Sequence, residues 1–225
     1  MSEHDREPLR PVSVSRMAEL EEAVTTYESA LTADEARWLL ARGLDEAEVT
    51  TARVGVVTDP LPGHERFRGM LAIPYLTVDC APLTIRFRCI AEHNHRDFKH
   101  GKYMSLADDP PRMYNVGAVH RADDELHIAE GEFDGLILQK CGLHAVAIPG
   151  AQNWMPHHRR MVAGFSKVWI WGDPDEAGSD FVNKIRKGVR SAVGVRLNRT
   201  DGDVTDIYKA GGRSAVLAKI AGGGV

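Results

Sequence analysis

From residue 124 onward the chain alternates between short apolar runs and longer stretches whose apolar positions recur every three to four residues. The segment "ELHIAEGEFDGLILQKCG" predicts a strand, a glycine turn and a helix over about residues 133–140. "HAVAIPG" predicts a second strand, "PHHRRMVAG" a short helix and "KVWIW" a third strand. Residues 176–189 predict another helix, in which Phe181, Ile185 and Val189 form one buried stripe. "SAVGVRL" is a fourth strand, and "DVTDIYKAGG" a short closing helix capped by glycine. Strands and helices alternating through short connections predict a parallel α/β sheet, a fold that places ligand sites at the carboxyl ends of its strands.

The upstream half has a different rhythm. Residues 1–26 are polar and Pro-interrupted and read as a flexible arm with one short helix. Residues 33–52 predict two short helices broken at Gly43, the first opened by Asp34 and Glu35. Strand-like runs follow at 70–73, closed by Pro74, and at 83–90. In the second, Thr84, Arg86 and Arg88 alternate with Leu83, Ile85 and Phe87, as a half-buried strand requires. Residues 91–112 read as a loop, and the terminal "AGGGV" as a frayed tail. The expected division is an arm over 1–26, a smaller mixed α/β unit over 27–117 and the parallel-sheet unit over 118–225.

Composition narrows the class. The chain has 225 residues, enough for one large or two small cores, with 43% hydrophobic and 27% charged residues, as in ordinary globular proteins. No secretory signal and no membrane-spanning run is visible, and three scattered cysteines, Cys80, Cys89 and Cys141, make no disulfide framework. A reducing cytoplasm is therefore expected. A net charge of −4 argues against nucleic-acid binding by bulk charge and leaves room for a local basic face.

The candidate chemistry lies where the strands end. "KVWIWGDPDEAG" sets Asp173 and Asp175 directly after an apolar strand. Such acids suit a turn and the start of the next helix. They also suit a divalent cation held between them. Glu130 closes the first strand with Asp134 one helical turn on, and Asp203 and Asp206 follow the fourth strand, so three segments deliver acids to one sheet edge. Clustered carboxylates repel, and a hard cation with oxygen ligands relieves them. Arg86 and Arg88 share one strand face, where guanidinium forks suit phosphates, and Tyr103 offers a ring on which a base can stack. Cys89, His93, His95 and His100 match no familiar zinc-ligand spacing and read as a solvated loop. His157 and His158 read as solvent-facing, Trp169 and Trp171 as core.

"IAEGEFDGL" followed by "GDPDEAG" resembles the TOPRIM domain of primases, topoisomerases and some nucleases. Upstream, "WLLARGLDEAEVTTARVGVV", "RFRGMLAIPY", "LTIRFRCI" and "GKYMSLADDP" resemble the catalytic core of DnaG- and phage-type primases, so the likeness covers about residues 30–212. The resemblance implies a Rossmann-like TOPRIM domain preceded by a smaller mixed α/β primase-core subdomain. It implies RNA primer synthesis from nucleoside triphosphates on single-stranded DNA, with Mg²⁺ or Mn²⁺; no zinc is expected, on the ground of the Cys and His spacing. Glu130 matches the catalytic glutamate, Asp173 and Asp175 the metal-binding pair and Asp134 the acid that completes the first motif. Asp203 and Asp206 fall where the family has further metal-site acids, and Arg66, Arg68, Arg88, Lys102 and Tyr103 match its template and nucleotide surface.

Two departures matter. Ser105 stands where the family's Lys-Tyr segment has Asn, and no zinc-module Cys pair or phosphate-binding GxxxxGK[ST] loop is present. The chain thus reads as a minimal core that relies on a separate helicase or template-recognition protein, in a bacterial or phage-infected cytoplasm. Two other readings use the same residues: a TOPRIM nuclease, and a non-catalytic nucleic-acid-binding subunit of a replication complex.

Overall fold

Leu20, Ala23, Val24 and Tyr27 recur at three- and four-residue spacing. In the computed structural model, which describes residues 11–98, 100–107 and 109–221, they are the buried face of helix α1 (Val14–Ser29). The expectation of an arm is corrected for residues 14–26; its first ten residues lie outside those described. The polar residues of this stretch occupy the outer face of α1, and Arg53 pins that face through Glu21 at 2.8 Å and Glu28 at 3.1 Å. Tyr27 is fully buried, its hydroxyl 2.8 Å from His64 Nδ1 and accepting the Leu61 N–H at 3.0 Å. The helix passes so close to the chain at Gly55 that a Cβ there would stand 2.2 Å from the Tyr27 carbonyl carbon.

Helices α2 (Ala33–Leu40) and α3 (Glu46–Thr51) form as expected, and each opens with a capping box, Thr32 with Glu35 and Asp45 with Glu48. Strands β1 (Gly55–Val56), β2 (Leu71–Leu76), β3 (Pro82–Arg88) and β4 (Tyr103–Ser105) make an antiparallel sheet in that order. Pro74 does not close β2 but lies inside it, opposite Ile85. β1 pairs only with Leu71 and Ala72, so beyond them β2 is an edge on that side, where the missing N–H of proline is tolerated. The polar face of β3 is solvated only in part: Thr84 and Arg88 are 7% and 8% exposed, while Arg86 between them is half-buried. Phe67 and Phe87 stack at 3.8 Å in the core of this unit, beside α1.

The chain divides into two compact units at Pro110–Pro111. The second holds α4 (Gly117–Arg121), β5 (Glu125–Ala129), α5 (Glu132–Lys140), β6 (Ala145–Ala147), α6 (Pro156–Val162), β7 (Lys167–Trp171), α7 (Glu176–Gly188), β8 (Ala192–Gly194) and α8 (Val204–Ala221). Tyr114, expected in the first unit, bridges to Ala147 of the second. The four strands are parallel, in the order β6-β5-β7-β8. Leu126, Ile128, Val168, Ile170, Phe181 and Ile185 are fully buried in one core, each such side chain contributing roughly 1.5–3 kcal/mol by leaving water. Trp169 and Trp171 are core residues as expected, their indole N–H groups donating to Glu125 at 2.8 Å and His127 at 3.0 Å.

Two readings are corrected here. The last helix does not stop at its glycines: Gly211 and Gly212, the latter at φ 62°, make a kink, and a second helical segment runs on to Ala221. Arg213 follows the kink and donates to the Cys141 carbonyl at 2.9 Å, which covers the end of α5. His158 is fully buried rather than solvent-facing, because its Nδ1 accepts the Met155 N–H at 3.2 Å and so caps α6. Its neighbour His157 places Nε2 3.2 Å from the Pro111 carbonyl oxygen. Among the described residues no helix is long and apolar enough to cross a membrane.

Candidate active site

Parallel strands with unequal register leave their carboxyl ends as a ledge, and the acids stand along it. Glu130 follows β5 directly. Its N–H donates to the Trp171 carbonyl at 3.2 Å, and its Oε2 accepts the Asp173 N–H at 3.3 Å. The end of β5 is thus tied to the loop after β7. That loop is shaped by two glycines. A Cβ on Gly172 would lie 2.4 Å from the Gly178 carbonyl oxygen, and one on Gly178 would lie 2.0 Å from the Asp173 carbonyl oxygen. Only glycine at both places lets the Asp173–Asp175 turn fold onto the first turn of α7. Asp175 then caps that helix, its Oδ1 accepting the Gly178 N–H at 2.8 Å. The helix-start reading of this acid and its site reading hold together, since one carboxylate oxygen serves the cap.

A third segment joins through Asp134. Its Oδ1 accepts both the N–H of Thr205 at 3.0 Å and the Thr205 hydroxyl at 2.8 Å, joining the first turn of α5 to the start of α8. Asp203 caps α8, accepting the Asp206 N–H at 2.8 Å. Gly131 leaves room for this junction, for a Cβ there would stand 3.0 Å from Asp134 Oδ2.

The electrostatics show how crowded the ledge is. Burial pushes Glu130 up to about 6, and the charges of Asp173 and Asp175 add to the rise. Burial also raises Asp134 well above the ordinary carboxylate range, reinforced by the charges of Asp203 and then Asp173. Like charges and desolvation disfavour the ionised forms, so a cation at this ledge is stabilised by the acids it relieves. Glu130 is thus coupled to Asp173 and Asp175, and Asp134 to Asp203 and Asp173, along one ledge. Asp206 does not join them: its carboxylate is exposed and 3.9 Å from Lys209 Nζ. The all-oxygen donor set suits Mg²⁺ or Mn²⁺.

Beside Asp173 and Asp175 opens a groove of about 630 Å³, also lined by Asn183, Arg186, Arg196 and Arg199. Three arginines facing an acid pair were not read from the sequence. Their signal was present, since Arg196 and Arg199 follow the fourth strand at the same ledge as the acids. Thr205, only 9% exposed, was also missed, as a threonine beside Asp206 carries no distinguishing pattern.

In the antiparallel unit most of the expected basic residues converge on β3 and β4. The guanidiniums of Arg86 and Arg88 each lie 4.7 Å from the Tyr103 ring centre, and Arg88 also donates to the Tyr103 hydroxyl. The Tyr103 ring is thus engaged by arginine. Arg88 further packs 5.0 Å from the Trp38 ring of α2, over which Arg42 sits at 3.3 Å. Trp38 and Arg42 were not foreseen; Arg42 lies in the turn just after α2, which folds its guanidinium back over the Trp38 ring. Arg66 donates to the Ser105 carbonyl of β4 at 2.8 Å. Lys102 lies just before β4 and accepts the Cys89 N–H on its carbonyl at 2.9 Å. Arg68 is held apart from this strip by Thr58, at 2.5 Å, and by Asp59, at 4.0 Å.

The loop between β3 and β4 also departs from expectation. Ligand atoms of Cys89, His93, His95 and His100 all lie within 4.8 Å of one another, because the hairpin folds residues of unremarkable spacing onto one point.

No protein-family model matches the chain. The Gene 57 protein of Mycobacterium phage D29 is 34% identical over 158 residues, covering 68% of this chain and 99% of that protein. Among solved structures, the Aquifex aeolicus primase (zinc-binding and RNA polymerase domains) superposes with a TM-score of 0.73 at 19% identity. That match covers 96% of this chain, which spans 63% of the Aquifex chain. The DnaG primase catalytic domain bound to single-stranded DNA gives a TM-score of 0.74 at 15% identity, covering 92% of this chain and 78% of that one. The chain belongs to the family of the phage D29 Gene 57 protein and has the fold of the DnaG-type primase catalytic core.

Proposed function

We propose that this chain is a DNA primase, a nucleotidyltransferase that synthesises short RNA primers from nucleoside triphosphates on single-stranded DNA during replication. The observation that carries this reading is the ledge itself: five carboxylates from the three segments that follow β5, β7 and β8, beside a groove lined by three arginines. In the reaction the 3′-oxygen of the growing primer attacks the α-phosphorus of the incoming nucleotide, and the bond to pyrophosphate breaks. Arg186, Arg196 and Arg199 neutralise the triphosphate, for which the guanidinium fork is suited. Glu130, whose Oε2 lies 3.3 Å from the Asp173 N–H beside the acid pair, is placed to take the proton released by the attacking hydroxyl. Mg²⁺ or Mn²⁺, held by Asp173 and Asp175 with Glu130, Asp134 and Asp203 around them, would supply the positive charge that steadies the attacking and leaving oxygens.

The strip on β3 and β4 holds the DNA template. Arg66, Arg86 and Lys102 neutralise phosphates, and the buried Arg88 positions Tyr103, whose ring in turn fixes Arg86. The family resemblance and the single-stranded DNA held by the DnaG catalytic domain support this assignment. The parallel-sheet unit corresponds to the TOPRIM domain, with Asp173 and Asp175 as its acid pair. A separate helicase or template-recognition protein is the expected partner, in a bacterial or phage-infected cytoplasm.

Incorporation of labelled ribonucleotides on mixed single-stranded templates tests the proposal. Template-dependent RNA should appear with Mg²⁺ or Mn²⁺ and vanish in a folded Asp173→Ala, Asp175→Ala variant. Shortened template in place of RNA would replace this reading with a nuclease. Intact template without RNA, with or without a replicative helicase, would leave a binding role instead.

A further inference from the structure

The Cys89 cluster lies in the antiparallel unit and has no part in the proposed chemistry. Cys89 directly follows β3, is 8% exposed, and is held at the base of the hairpin by its N–H bond to the Lys102 carbonyl. His93 Nε2 stands 3.6 Å from Cys89 Sγ and 3.1 Å from His100 Nε2. His100 Nδ1 lies 3.0 Å from the Gly101 carbonyl oxygen. A carbonyl can only accept, so Nδ1 carries the proton and Nε2 keeps its lone pair, directed at the cluster. His95 Nδ1 is buried and has no hydrogen-bond partner.

Ring packing explains part of this loop, since His93 stacks on Phe98 at 4.4 Å. It does not explain why three imidazoles turn nitrogen atoms toward a thiol and leave the His95 Nδ1 without a partner. A tetrahedral zinc ion explains both. With Zn–N near 2.0 Å and Zn–S near 2.3 Å, its ligand atoms stand roughly 3.3–3.6 Å apart. The observed separations of 3.1 and 3.6 Å already approximate two edges of that tetrahedron, and no ligand atom is more than 4.8 Å from another. One thiolate with three imidazoles is a soft, nitrogen-rich set that favours zinc over magnesium. Four protein ligands fill the coordination shell and leave no open position for chemistry.

We propose that Cys89, His93, His95 and His100 bind one structural zinc ion that closes the β3–β4 hairpin. The ligands begin one residue after Arg88 and end two residues before Lys102. Closing the loop there fixes the strand ends that carry Arg88, Lys102 and Tyr103, and so pre-organises the basic strip. The expectation of no zinc came from sequence spacing alone, which does not show that a hairpin gathers these four side chains.

Metal analysis of the full chain tests this independently of any activity. Protein purified without chelator should hold about one zinc per chain, and Asp173→Ala, Asp175→Ala protein should hold the same amount. Exchange into cobalt should give the visible bands of four-coordinate cobalt with a near-ultraviolet thiolate charge-transfer band. Cys89→Ser should abolish the charge-transfer band, and a His93→Ala, His100→Ala variant should lose the metal. Should Cys89→Ser fold poorly, the half-exposed His93 makes the His93→Ala, His100→Ala protein the deciding variant. Zinc removal should also speed proteolysis within residues 90–102, with protection restored by added zinc. Cobalt that stays six-coordinate, or metal retained undiminished in the histidine variant, would overturn the site.

Discussion

Glu130 shows how one residue carries both the fold and the chemistry. Its raised value, about 6 against an ordinary 4.5, means that the folded chain holds a proton that the unfolded chain has released between those pH values. Metal-free protein therefore loses stability from this group as pH rises through about 4.5–6, and above that window the loss is complete. His127, pushed down to about 4 by burial, and His158, pushed down to about 3, act in the opposite direction as pH rises, so the comparison must be made between variants. The melting temperature of chelated Glu130→Gln protein should gain on wild type across pH 4.5–6 and then run parallel to it. At pH 7, added Mg²⁺ should raise the wild-type value more than the variant's. Parallel curves throughout would mean that the Glu130 carboxyl is well solvated. The acids themselves were legible in the sequence because three separate segments deliver them to the same edge of one parallel sheet. The position of Asp206 was not, because two acids three residues apart at a helix start look alike until one of them caps the other.

At the scale of elements, the turn from β7 into α7 is tightly constrained by Gly172 and Gly178. Gly178 sits in the first turn of α7 with the Asp173 backbone against its Cα. Gly178→Ala should lower stability by about 1–3 kcal/mol through overpacking. It should also reduce primer synthesis by up to about a hundredfold, since a shift of an ångström in positioned groups costs that much. Thermal melting and ribonucleotide incorporation on the same preparation would check both, and an alanine variant equal to wild type in both would refute the contact. The "GDPDEAG" motif announced a turn and a helix, and periodicity placed α7 within a residue of its end. Helix α1 was read only as one short helix in an arm because its polar face dominates the letters, and the second segment of α8 was missed because two glycines read as a stop. In both, what decides is a tertiary contact: Arg53 with Glu21 and Glu28, and Arg213 with the Cys141 carbonyl.

Across the whole molecule, a net charge of −4 coexists with a basic strip on one unit and an acidic ledge on the other. Affinity for single-stranded DNA should therefore fall with salt. Arg66→Gln and Arg86→Gln should each flatten the log–log slope by about 0.7, the value for one released counterion on a single strand. Asp173→Ala should leave that slope unchanged, and fluorescence anisotropy over a salt series would separate the two classes. Arg88→Gln should also lower the melting temperature, because Arg88 is buried against Trp38 and Tyr103. What the sequence determined by itself was the alternation of strands and helices, hence the parallel sheet, and the strand ends at which acids appear. Both follow from short-range periodicity, which each segment carries within itself. Only the tertiary structure decided which acids share the ledge, which arginines line the groove beside it, and that Cys89 meets three histidines. Those are long-range juxtapositions, set by how the chain returns on itself, and residue spacing does not encode them.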